Sequence, residues 1–175
     1  VYKKFMKGTK KLKISKILLW TIFIIYIIIV MGATLVDRFS RYESVNLHLF
    51  SSYKDAYNSF SIGEWRNLIL NILMFVPIGI LMPLLFNKFQ QWYITYLVGF
   101  VATLFIEILQ FISKRGIFEI DDIINNFLGC AIGYGIVMFF ISLFKKKKSL
   151  NILVYQIPLI VSIISISVIF INYHK

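Results

Sequence analysis

Residues 17–36 run for twenty positions without a charged side chain, and that single fact excludes most folds. A helix rises about 1.5 Å per residue, so a run of this length spans the roughly 30 Å hydrocarbon core of a bilayer. Backbone groups placed in lipid must bond within their own segment, which makes such a run a helix. Comparable runs recur at 68–86, 92–112, 123–144 and about 150–171, in a 175-residue chain that is 59% hydrophobic. The pattern predicts an all-α, polytopic integral membrane bundle of five transmembrane helices. The first run is longer than the about 7–15 apolar residues of a signal peptide, and no small-x-small cleavage site follows it. It reads as a retained helix.

Basic residues set the orientation. Seven lysines precede the first span (Lys3, Lys4, Lys7, Lys10, Lys11, Lys13 and Lys16), and "KKKK" at 145–148 follows the fourth. With the N-terminus cytoplasmic, these clusters and Lys88 share the cytoplasmic side. All eight acids then fall in external segments or in the outer halves of spans. The organisation expected is a basic cytoplasmic N-terminus at 1–16, a membrane domain at 17–144 with an external loop at 37–66, and a basic loop plus fifth span at 145–175. On a soluble protein, a net charge of +11 would suggest nucleic acid. Here the lysines flank spans, so topology and anionic headgroups account for them. The partners expected are membrane lipids of the cell membrane, with no nucleic acid and no cofactor. The one cysteine, Cys130, gives neither a disulfide nor a metal-ligand spacing and is expected to pack between helices.

In this orientation three spans bring their polar residues to one depth near the outer face. The second offers Asn67 and Asn71 at its outer start. The third offers Glu107, Gln110 and Lys114 near its outer end, and the fourth Asp121, Asp122, Asn125 and Asn126 at its outer start. At about 100° per residue, Asp122, Asn126, Gly129 and Gly133 share one arc of the fourth span. Gly129 and Gly133 form a small-xxx-small pair suited to close helix packing, within or between chains. Gly99, Thr103, Glu107, Gln110 and Lys114 share a face of the third. Pro77 and Gly79 interrupt the second, and the missing N–H of Pro77 predicts a kink. Glu107 sits about five residues inside its span, where an acid costs up to about 3 kcal/mol and needs a partner or a proton. Lys114, Arg115 and Arg66 lie on the same side.

Structural roles compete with functional ones at each position. Asp121 and Asp122 are suited to capping their helix, Asn67 is a candidate cap, and Glu107 a candidate buried ion pair. Asn71, Gln110 and Asn126 serve equally as interhelical glue or as ligand contacts.

The stretches "NLILNILMFVPIGILMP", "FIEILQF" and "FEIDDIINNFLGCAIGYG" together resemble the VanZ-like family of bacterial membrane proteins. That family has an Asn-containing motif ending in F-x-P-x-G, then E-x-x-Q on the next helix, then an acidic D-I-D-D-x-x-x-N-x-x-G entry to the following one. The matching positions are Asn71, Phe75, Pro77, Gly79, Glu107, Gln110, Asp121, Asp122, Asn126, Gly129 and Gly133. Arg115 stands for the arginine usual before the acidic motif. Where relatives often carry NL-x-PF, this chain has "NLHLF" at 46–50. The resemblance covers roughly 46–140. It implies resistance of a Gram-positive cell to teicoplanin and related lipoglycopeptides, which act on lipid-linked cell-wall precursors outside the membrane.

Three mechanisms fit these residues. A binding protein would hold an envelope lipid, a lipid-linked precursor or a lipoglycopeptide in an outer-facing polar pocket. An intramembrane enzyme would use Glu107 or Asp122 for acid–base work on a lipid-linked substrate. The sequence carries no G-x-S-x-G, no H-E-x-x-H, no phosphate loop and no dedicated metal set, which favours the binder. A proton-coupled transporter would place its acids at the midplane, in inverted repeats, and neither feature is evident.

Overall fold

The computed structural model describes residues 10–36, 45–144 and 151–173, with the side chains of 16–35, 45–143 and 156–173. The lysine-rich start at 1–9, the first part of the external loop at 37–44 and the "KKKK" run lie outside the described residues. Helix α1 spans Lys10–Met31 and continues as a π-helical turn, Gly32–Val36. A short helix α2 covers Ser51–Asn58, followed by α3 at Ile62–Leu85, α4 at Trp92–Ile112, α5 at Ile120–Phe144 and α6 at Asn151–Tyr173. Five of these, all but α2, are long and apolar enough to cross a membrane. A minimal parallel pair, β1 (Val45–Asn46) with β2 (Phe118–Glu119), aligns Val45 with Phe118 and Asn46 with Glu119.

Helix α3 is the centre of the bundle: 72% of its apolar window is buried, against 28–33% for the other four. Its closest neighbour is α5, and glycine makes that possible. A Cβ on Gly129 would stand 1.9 Å from the Ile72 carbonyl oxygen, and one on Gly133 would stand 2.2 Å from that of Val76. From the other side, a Cβ on Gly79 would meet the Cys130 carbonyl at 2.1 Å. Two parallel helices therefore touch backbone to backbone, as the small-xxx-small spacing leads one to expect. Cys130 fills the space between α3 and α4, with its Sγ where a Cβ on Gly99 would fall.

The start of α3 differs from the sequence expectation. Hydropathy places it at residue 68, but the helix begins six residues earlier, at Ile62. Ser61 is the cap, its hydroxyl accepting from the Glu64 N–H at 3.3 Å. Asn67 is thus a residue inside the helix and caps nothing. The cause is general: hydropathy marks where a helix enters apolar surroundings, whereas capping side chains mark where its hydrogen bonding begins. Pro77 lies within a continuous α3, and the buried Tyr26 hydroxyl donates to the neighbouring Met74 carbonyl at 2.9 Å.

Candidate functional site

Helices α3 and α5 begin, and α4 and α6 end, at one end of the bundle, where α2 lies against them. A cavity of about 820 Å³ opens there. Its walls carry the amides of Asn46, Asn58, Asn67 and Asn71 and the hydroxyls of Ser52, Ser59 and Tyr173. Among the described residues, four carboxylates (Asp55, Glu64, Glu119 and Asp122), the Arg66 guanidinium and Leu68 complete them. Around it, α2 and the turn into α3 expose Tyr57, Phe60 and Ile62.

Asp121 holds α2 in place. It lies in the first turn of α5, where its own helix offers free N–H groups, yet its oxygens accept from another element. One takes the Phe50 N–H at 2.7 Å; the other takes the Ser52 N–H at 2.9 Å, with the Ser51 hydroxyl at 3.5 Å. These are the orphan donors at the N-terminus of α2, and Phe50 itself turns through the left-handed region at φ 60°. The expected local cap is therefore a long-range one, across some seventy residues of chain. The Ser52 hydroxyl donates to Glu119 at 3.1 Å, and the Tyr53 hydroxyl donates to Asn125. Partial burial raises the Tyr53 pKa above that of a free phenol, and the nearby charges of Asp121 and Asp122 add to the shift, against the opposing Asn125 bond.

At the foot of the cavity, the Asn71 amide donates to Asp122 at 2.5 Å, joining α3 to α5. Both side chains are buried. One carboxylate therefore fixes the entry of the two central helices while forming part of the cavity wall.

A second set of polar residues sits at similar depth in the α4–α5 and α4–α1 contacts. The Asn126 amide donates to the Thr103 hydroxyl at 2.9 Å, and the Gln110 amide donates to the Thr34 carbonyl at 3.2 Å. Glu107 accepts the Glu119 N–H at 3.3 Å. Glu107, Gln110 and Asn126 are all 1% exposed and are not among the cavity's lining residues. Glu107, Lys114, Arg115 and Asp122 all have partners.

The polar residues that the sequence brings to one depth thus divide. Asn67, Asn71 and Asp122 line the cavity, while Glu107, Gln110 and Asn126 are sealed among helices. Asp121 docks α2, and Pro77, Gly79, Gly129 and Gly133 belong to the α3–α5 seam. Arg115 is exposed beyond α4, its N–H donating to the Gln110 carbonyl at 2.9 Å. Sequence reasoning missed the wall residues of α2 and its flanks. Polar positions at Ser52, Asp55 and Asn58, three residues apart, are the helical signal that was there to find. Tyr173 gave no such signal.

A proline- and glycine-bearing α3 is thus pressed on an acid-led α5. The VanZ/LLP1 family model matches residues 18–144, well over half of the chain. The chain belongs to the VanZ-like family. No curated protein and no solved structure matches it. As a VanZ-like protein with five apolar helices, it is a multi-pass membrane protein. The matched region holds α3, α4 and α5 and most of the cavity wall. Helix α6 lies beyond it, and still supplies Tyr173 to that wall.

Proposed function

We propose that this cavity opens to the outer leaflet of the cell membrane and binds the headgroup of an envelope lipid or the lipid-anchored complex of a lipoglycopeptide. Occupancy of the site lowers susceptibility to teicoplanin-type drugs. The observation that carries this reading is the polar cavity of about 820 Å³ at one end of an apolar bundle. Ligand sites are concave and of this size, with polar groups that fix orientation. Lysines flanking the first and fourth spans put this end outside by the charge rule, which is where the drugs and their lipid-linked targets meet. The separation of Asp122 from Glu107 also supports binding over acid–base catalysis, since Glu107 is not on the cavity wall.

The test is drug susceptibility in a teicoplanin-sensitive Gram-positive host, with teicoplanin beside vancomycin and membrane levels matched. The wild type is expected to protect selectively against teicoplanin. Asp122→Asn loses that protection, while Glu107→Gln, in the sealed layer, keeps it. No protection by a wild type confirmed in the membrane sinks the resistance reading; equal behaviour of the two variants removes the cavity from its centre.

A further inference from the structure

We infer that the headgroup this cavity takes is neutral or positively charged and rich in hydrogen-bond donors, of the glycosyl or aminoacyl kind, and that the cavity does not hold a phosphate. The inference deepens the lipid-binding reading above and rests on it.

Two features point this way. The first is the balance of charge among the described residues of the wall, where Asp55, Glu64, Glu119 and Asp122 accompany the Arg66 guanidinium. A site for phosphate presents converging N–H donors from arginine, lysine or backbone. The charged groups described on this wall are mostly carboxylates, acceptors that pair with ammonium or hydroxyl groups. The second is the state of the helix N-termini. Three helices begin at this end, and a helix N-terminus is the usual backbone site for an anion. Two of them carry bonds to the protein's own oxygens, and the third carries two carboxylates in its first turn. The N–H groups of α2 are held by Asp121, α3 is capped by Ser61 with Glu64 in its first turn, and α5 carries Asp121 and Asp122 in its own. An incoming phosphate would meet bonded N–H groups at α2 and α3, two carboxylates at the start of α5 and four like charges on the wall.

The surroundings fit an amphiphile. Tyr57, Phe60 and Ile62 beside the cavity are 69%, 84% and 86% exposed, and side chains of this kind are at home at headgroup level. A lipid bound here would place its donor-rich head against the carboxylates and its chains along these side chains.

Competition in native mass spectrometry of the full-length chain in detergent tests this. The probes, at equal concentration, are a diglucosyl diacylglycerol, a lysylated phosphatidylglycerol, phosphatidylglycerol and a polyprenyl phosphate. One or both of the first two should be retained about tenfold better than the anionic pair, the ratio a single charge-assisted hydrogen bond can supply. The double variant Asp55→Asn/Glu64→Gln changes two exposed wall residues and should reduce that preference without loss of folded protein. A preference for the lysylated lipid that fades with added salt identifies the amine as the recognised group; a salt-insensitive preference for the glucosyl lipid identifies the sugar. Equal or better retention of phosphatidylglycerol or the polyprenyl phosphate overturns the inference while leaving lipid binding intact, as does an unchanged preference in the double variant. Retention of none of the four overturns the lipid-binding reading itself and this inference with it.

Discussion

The α5 helix meets α3 and α4 with similar chemistry and opposite results. Toward α3, Asp122 bonds Asn71 and the pair forms part of the wall of an open cavity. Toward α4, one turn further along, Asn126 bonds Thr103 and the pair is closed off, 1% and 0% exposed. Residue type does not distinguish these contacts, since both join an amide to an oxygen across two helices. What differs is what lies above them. Over the α3 side, α2 and its flanks enclose a space walled by side chains. Over the α4 side, β2 and the α4–α5 turn come down close enough for the Glu119 N–H to reach Glu107. A polar residue in a membrane bundle becomes a candidate for ligand contact only where the chain outside the bundle leaves it room.

The largest effect expected from breaking this arrangement lies at the seam that holds both sides together. Gly129→Leu would drive a side chain into the Ile72 carbonyl, which a Cβ alone would already meet at 1.9 Å. Backbone cannot yield as a side chain can. The cost should reach or exceed the about 3 kcal/mol usual for overpacking. Membrane extracts should show loss of the folded, detergent-stable protein, and Gly135→Ala, where a Cβ meets nothing within 4 Å, should not.

Next comes the device that keeps the cavity's roof in place. Asp121→Ala leaves the first donors of α2 without their acceptor, a change typically worth about 0.5–2 kcal/mol for a capping residue. Hydrogen exchange should show faster exchange across Ser51–Asn58 while α3 and α5 remain protected. Equal loosening of all three helices would instead make Asp121 a residue of the bundle as a whole.

The smallest effect should come from the sealed side. Thr103→Val removes one interhelical hydrogen bond, and such bonds in membranes average about 0.6 kcal/mol. Thermal stability in detergent should fall only slightly, and drug protection should persist. Loss of protection at wild-type stability would place the α4 side in the site after all.

The sequence carried the bundle but not its superstructure. Five spans, the polar faces of α4 and α5 and the glycine contact all follow from the length, period and spacing of residues along single helices. Each is a local property, and each is legible without knowing what packs where. The role of Asp121 is not local, because its oxygens serve Phe50 and Ser52 only once α2 has docked. The same holds for the Tyr53–Asn125 bond and for Tyr173, which reaches the cavity because α6 ends beside the start of α3. Residues 45–65 read as an external loop because they lack an apolar run. Polar spacing within that stretch carried the α2 signal, and hydropathy is blind to it.

The measurement that bears most directly on the division between open and sealed polar layers is cysteine labelling in intact cells with a membrane-impermeant maleimide. Native Cys130 is 0% exposed and gives little background. Asn67→Cys, on the cavity wall, and Gln110→Cys, in the sealed layer, would be compared at matched expression. The structure and the outward orientation together predict that Asn67→Cys labels from outside and that Gln110→Cys stays silent until the protein is unfolded. Equal labelling of the two, or labelling of Asn67→Cys only after the cells are permeabilised, would contradict an outward-facing cavity set apart from a sealed polar layer.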